Sequence, residues 1–303
     1  MKTDQVTTED LSASVIAVPP LARNEDLSLN HEANRKQMAH LRGGGVTTYL
    51  YGGNANLYSI TQREYAELLA MLEEQAQDGD WIIPSAGPDL GRLTDQAEII
   101  NKHQFPTVMV LPTATFSTPD GVEESIRRFV DQIERPVIVY LKREDYLRID
   151  QIAKMLDENL LCAVKYAIDR EDAAVDPFLV SLLSEVPKNL VVSGFGERPA
   201  LTHMRGFGVA GYTAGCVCIA PSLSANMLSL AKAGDWDKAE QVRKVFLPLE
   251  SLRDGINPVR VLHEAVTLSG IADMGPIMPP LSGVPASDLS VIEETTKQLL
   301  ALN

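Results

Sequence analysis

The sequence predicts an α/β protein, a (β/α)8 TIM barrel with a C-terminal helical extension, and three observations carry that prediction. Eight short runs rich in β-branched and apolar residues recur between residues 14 and 213. Most are continuously apolar instead of alternating, as parallel strands covered on both faces are. Helix-period patterns separate them, and eight strand–helix units in this length match a closed barrel. A doubly wound open sheet is the alternative that the same alternation allows.

The runs fall at residues 14–18 (SVIAV), 46–51 (VTTYLY), 81–85 (WIIPS) and 107–111 (TVMVL). The second four fall at 136–140 (PVIVY), 161–165 (LCAVK), 189–193 (NLVVS) and 209–213 (VAGYT). Between them, residues 61–77 place Tyr65, Leu68, Leu69 and Leu72 on one helical stripe, with Ser59 or Thr61 available as cap. Residues 120–133 open on Asp120 as N-cap and carry Ile126, Phe129, Val130 and Ile133 inward. Gly43-Gly44-Gly45 precedes a strand and reads as a helix end and turn. Beyond the eighth strand, residues 223–252 are helical with a break at Gly234-Asp235, and residues 257–270 and the last fourteen are helical too. The division is therefore a barrel over residues 1–222 and a helical extension over 223–303.

Charge and cysteine content narrow the function classes. A net charge of −14, spread along the chain, disfavours nucleic acid or an anionic membrane as partner. Three cysteines, Cys162, Cys216 and Cys218, are poor material for a disulfide framework and fit a reducing compartment. The N-terminal MKTDQVTTEDL lacks the apolar stretch of a signal peptide, and no run approaches the roughly 20 apolar residues that span a bilayer. The expectation is a cytoplasmic protein.

Functional side chains of such a barrel stand at the C-terminal ends of its strands. Strand five ends at Tyr140 and strand six at Lys165, so a phenol and an amine can converge over the barrel mouth. Burial makes the neutral form of a lysine more accessible, and a neutral amine is a nucleophile. The plainer readings are a lysine that snorkels to solvent and a tyrosine of the core or rim. After strand two, Gly52, Gly53 and Asn54 can turn backbone N–H groups toward a carboxylate, with the dipole of the following helix behind them. A simple tight turn is the equal alternative. Other motifs fail. Gly194-Phe195-Gly196 has Pro199 where a dinucleotide fingerprint needs its third glycine. Cys216 and Cys218 lack the histidine pair that completes a zinc set, so no metal and no cofactor is expected.

Taken together, these residues resemble the dihydrodipicolinate synthase / N-acetylneuraminate lyase family of class I aldolases, from about residue 11 to the C-terminus. The segment 136–140 is similar to the family's strand ending in its acid–base tyrosine, and Ala163-Val164-Lys165 to the segment holding its Schiff-base lysine. Residues 52–61 stand where its glycine–threonine loop lies, and residues 192–197 and 208–211 resemble the next two strands. The resemblance implies attack of Lys165 on the C2 carbonyl of a 2-oxo acid, proton transfer by Tyr140, and a C1 carboxylate held at Gly52, Gly53 and Asn54. It also implies a homo-oligomer, a tetramer. Three departures stand out. Gly53-Asn54 replaces the threonine pair, Ala114 the tyrosine lent across a subunit interface, and Asp145 the arginine of the synthase's second-substrate site. A dihydrodipicolinate synthase is therefore not expected. The stretches 52–59 and 275–281 are similar instead to ketodeoxyglucarate dehydratases.

Two readings follow: a Schiff-base lyase, aldolase or dehydratase, acting on a pyruvate-like or sugar-acid-derived 2-oxo acid, or a barrel that binds such an acid without turning it over. An NAD-dependent oxidoreductase is a distant third.

Overall fold

The computed structural model describes residues 1–113 and 116–303. Its strands are β1 (Ile16–Ala17), β2 (Thr48–Tyr51), β3 (Trp81–Ala86), β4 (Met109–Val110), β5 (Val137–Leu141), β6 (Leu161–Tyr166), β7 (Val191–Ser193) and β8 (Gly211–Ala214). Each pairs in parallel with the next, and β8 pairs with β1, so the sheet closes into an eight-stranded barrel. All eight predicted runs hold a strand, which removes the open-sheet alternative. Nearly every strand residue is buried, because the helices cover the outside and side chains fill the inside.

Ahead of β1 lies the short α1 (Asp10–Ala13), and α2 (His31–Gly43) leads into β2. The three-glycine segment ends α2 as expected, with Gly45 at φ +86°. The crossovers are α3 (Gln62–Gln75), α4 (Leu90–Ile100), α5 (Pro119–Ile133), α6 (Ile149–Asp157), α7 (Pro177–Glu185) and α8 (Glu197–Thr202). Thr61 caps α3, its side chain accepting from the Glu64 N–H at 3.2 Å. The cap of α5 is Thr118 and not Asp120: Pro119, which has no N–H to satisfy, fits the first helical position and starts the helix earlier. Asp120 instead accepts from Arg148 and Gln151 across the α5–α6 contact.

Four helices follow the barrel: α9 (Pro221–Lys232), α10 (Trp236–Gly255), α11 (Pro258–Leu268) and α12 (Ala286–Leu300). Gly234 and Asp235 separate α9 from α10, the aspartate capping α10. The long α10 packs on α8, α9, α11 and α12. That wedge carries its last turns, with Glu250, Arg253 and Asp254, over the C-terminal mouth of the barrel. Among the described residues, no helix is long and apolar enough to cross a membrane.

Candidate active site

A cavity of about 190 Å³ opens at the C-terminal ends of the strands. Val18 past β1, Gly53 and Asn54 past β2, Tyr140 of β5, Lys165 of β6, Gly194 past β7 and Thr213 of β8 face it. Four of the five sequence-derived candidates therefore share one space. The fifth, Gly52, does not line it.

Lys165 is the centre of the arrangement. Its side chain is 4% exposed. Burial, and then the charges of Lys142 and Arg253, lower its pKa to about 7. The ladder sets it beside Tyr140, since β5 and β6 pair the two residues directly. Nζ lies 3.9 Å from the Tyr140 ring centroid, so the amine meets the face of the ring. A ring face favours the ammonium form by about 1–2 kcal/mol. Desolvation and the two cations outweigh that contribution. Gly194 matters here for space: a Cβ would sit 2.9 Å from Lys165 Cγ and 2.8 Å from the Tyr166 carbonyl oxygen. Its absence lets the segment after β7 close over the lysine stem.

Tyr140 is partly buried, and its hydroxyl makes no hydrogen bond to a described residue. Burial pushes its pKa up to about 12, against a pull from Arg253. It holds its proton through the neutral range.

The glycine loop divides into two roles. Gly53 has open space where a Cβ would be, while at Gly52 a Cβ would meet Ser85 Oγ at 2.9 Å and Met109 Cε at 3.0 Å. Gly52 thus allows close packing, and Gly53 and Asn54 face the cavity. Their carbonyl and side-chain groups are engaged locally: the Gly53 carbonyl accepts from the Asn56 N–H at 2.9 Å, and Asn54 Nδ2 donates to the Val18 carbonyl at 2.7 Å. The N–H groups of Gly53 and Asn54 have no partner among the described residues. A helix dipole does not back them, because a 3₁₀ turn at Leu57–Ser59 intervenes and α3 begins only at Gln62.

Sequence reasoning missed the cations and carboxylates that complete the cavity. Lys142 lines it from the end of β5, and Glu250, Arg253 and Asp254 from α10. Asp145 stands outside: it is exposed and paired with Arg143 at 2.9 Å. The cations that line the cavity, Lys142 and Arg253, come from other positions. Ala114 lies outside the described residues. Glu197, Cys216 and Glu250 bring potential metal-ligand atoms within 4.8 Å of one another. Arg253 is the cation of that cluster: Nη1 donates to Glu250 Oε2 at 3.1 Å and faces Cys216 Sγ at 3.9 Å. Gly215 makes room for it, since a Cβ there would lie 2.7 Å from Nη2.

Comparison with known proteins agrees with this architecture. The model of the dihydrodipicolinate synthetase family matches residues 24–299. A probable 5-dehydro-4-deoxyglucarate dehydratase of Acinetobacter baumannii is 19% identical over 284 residues, covering 92% of each chain. Dihydrodipicolinate synthase of Bacillus clausii superposes with a TM-score of 0.85 at 19% identity, over 96% of this chain and 99% of that one. A prophage protein of the dihydrodipicolinic acid synthase family from E. coli K12, solved in complex with pyruvate, gives 0.81 at 17% identity, over 94% and 98%. A barrel closed in this order, a lysine at the end of β6 and a family match across nine-tenths of the chain converge. The chain belongs to the dihydrodipicolinate synthetase family, a family of aldolase-type enzymes.

Proposed function

We propose that the protein is a lyase, an aldolase or dehydratase, that binds a small 2-oxo acid and processes it through a Schiff base on Lys165. The observation that carries this reading is a buried amine with a pKa of about 7 in a small cavity also lined by Gly53 and Asn54, whose backbone N–H groups have no partner among the described residues. The neutral amine attacks the C2 carbonyl, water leaves, and the iminium draws electrons from C3. A C3 proton can then depart, or a C3–C4 bond can break. The N–H groups of Gly53 and Asn54 hold the C1 carboxylate, with Gly52 giving the loop its close seat. Tyr140 supplies a proton to the carbinolamine hydroxyl as it leaves. The complex of the E. coli relative with pyruvate and the dehydratase relative favour this substrate class and this reaction class. We further read the enzyme as cytoplasmic, in keeping with three free cysteines, and as a homotetramer, as the family resemblance implies.

The test is borohydride reduction with pyruvate and longer 2-oxo acids, followed by peptide mass mapping. A reduced adduct on Lys165, forming faster as the pH rises through 7, is the expected result. Absence of any adduct from folded protein would leave a binding-only barrel. That second reading draws on Asn54, whose amide is tied to Val18 and offers no hydroxyl to relay a proton.

A further inference from the structure

We propose that Glu250 of α10 is the base that takes the C3 proton of the bound 2-oxo acid, with a protonated Glu197 and Arg253 holding it in place and in charge balance. This rests on the Schiff-base reading of Lys165.

Two carboxyls and one guanidinium are buried together beside the cavity. Glu197 is 0% exposed, Glu250 2% and Arg253 7%. Among the described residues, Arg253 pairs with Glu250 alone. A second carboxylate here would be an uncompensated charge in the interior, so one proton resides on the pair. Hydrogen bonding says which carboxyl carries it. Glu250 is served twice, by the Glu197 N–H at 3.2 Å on Oε1 and by Arg253 on Oε2. Glu197 Oε1 accepts from Ser224 Oγ at 3.1 Å, but Oε2 is buried with no hydrogen-bond partner among the described residues. An acceptor without a donor is unfavourable there, whereas a hydroxyl can donate to the neighbouring Glu250 carboxylate. Burial and the charge of Glu250 accordingly push the Glu197 carboxyl well above its usual range.

Glu250 lines the cavity with Lys165, while Glu197 lies behind it. The chain is shaped around this carboxylate: a Cβ at Gly196 would come 2.4 Å from Glu250 Oε1, and Gly196 adopts φ +80°. Tyr140 is spent on another proton: burial pushes its pKa up to about 12, so after giving its proton to the departing hydroxyl it recovers one from water and is protonated again when the C3–H bond breaks. Asp254, the other cavity carboxyl, is 44% exposed and pairs with Arg198 at 3.0 Å, so water reaches it, whereas Glu250 is shut into the interior beside the cavity.

The step balances. The iminium C3–H bond breaks, and its proton joins a Glu250 carboxylate oxygen. The bonding pair becomes the C2=C3 bond, and the C2=N pair moves onto nitrogen, giving a neutral enamine. The positive charge passes from the iminium to the cluster. In a dehydration the enamine expels the C4 hydroxyl, which takes that same proton and leaves as water.

Deuterium exchange into the pyruvate methyl group, followed by proton NMR in D₂O with the full chain, reads this step alone. Glu250→Gln should slow exchange by about a hundredfold or more, while the borohydride adduct on Lys165 still forms at the wild-type pyruvate concentration. Glu197→Gln, neutral like the acid and still a donor, should retain exchange, whereas Glu197→Leu should lose it. Asp254→Asn, which removes the competing cavity carboxyl, should lose far less exchange than Glu250→Gln does. If Glu250→Gln does not fold, Glu250→Gln with Arg253→Met keeps the cluster neutral, and because Arg253 also lowers the Lys165 pKa, its exchange is read relative to the Lys165 adduct it forms. Wild-type exchange in either protein carrying Glu250→Gln, or loss of exchange only in Asp254→Asn, would overturn the assignment. So would loss of exchange in Glu197→Gln. Failure of the parent to form any adduct would overturn the Schiff-base reading and this one together.

Discussion

Lys165 makes the protein's stability depend on pH in a window that can be stated beforehand. In the unfolded chain its amine titrates near 10.5, and in the folded protein near 7. Between those values the unfolded state binds a proton that the folded state refuses, so stability rises with pH at roughly 1.4 kcal/mol per pH unit. Below 7 both states are protonated and the cost is fully present; above 10.5 neither is and it vanishes. Replacing Lys165 by Met keeps the stem's volume and removes the titration. At pH 7 the variant should therefore be more stable than the parent by about 4 kcal/mol, and at pH 9 by about 2 kcal/mol. Urea unfolding of both proteins at the two pH values measures the change, with equal m values showing that the same surface is exposed. A stability difference that stays constant from pH 7 to 9 would mean an ordinary lysine. It would remove the physical basis for a nucleophile at neutral pH.

Three other outcomes follow from the site. Tyr140→Phe should leave unfolding unchanged, because the hydroxyl has no partner among the described residues, yet slow adduct formation by about a hundredfold; stopped reduction at timed intervals measures it. Gly52→Ala should destabilise by about 1–3 kcal/mol through its contacts with Ser85 and Met109, while Gly53→Ala should not, as urea midpoints will report. Arg253→Met leaves the Glu250 carboxylate buried without its cation and should cost about 3–5 kcal/mol. Adding Glu250→Gln should recover most of that loss.

The barrel was legible in the sequence because its strands are continuous apolar runs, a pattern that both-face burial demands. Lys165 was legible for the related reason that an ammonium at the end of such a run is anomalous. The glycine loop was only half legible, since sequence cannot tell a glycine that faces a cavity from one, like Gly52, that lies against Ser85. Asp120 was misread as a cap because Thr118-Pro119 competes for the same role two residues earlier. Glu250 and Arg253 left no signal at all. Three residues apart in a polar helix, they read as a surface ion pair, and only the packing of α10 against α8 and α11 reveals that both are buried.

That placement of α10 has a consequence for how such an enzyme can be altered. The buried lysine belongs to the barrel, but part of the field that sets its basicity comes from Arg253 of α10, more than eighty residues downstream. Exchanging the C-terminal helices between relatives would transplant an electrostatic setting along with a wall of the cavity. The reactivity of an untouched Lys165 would then change without a single substitution in the barrel.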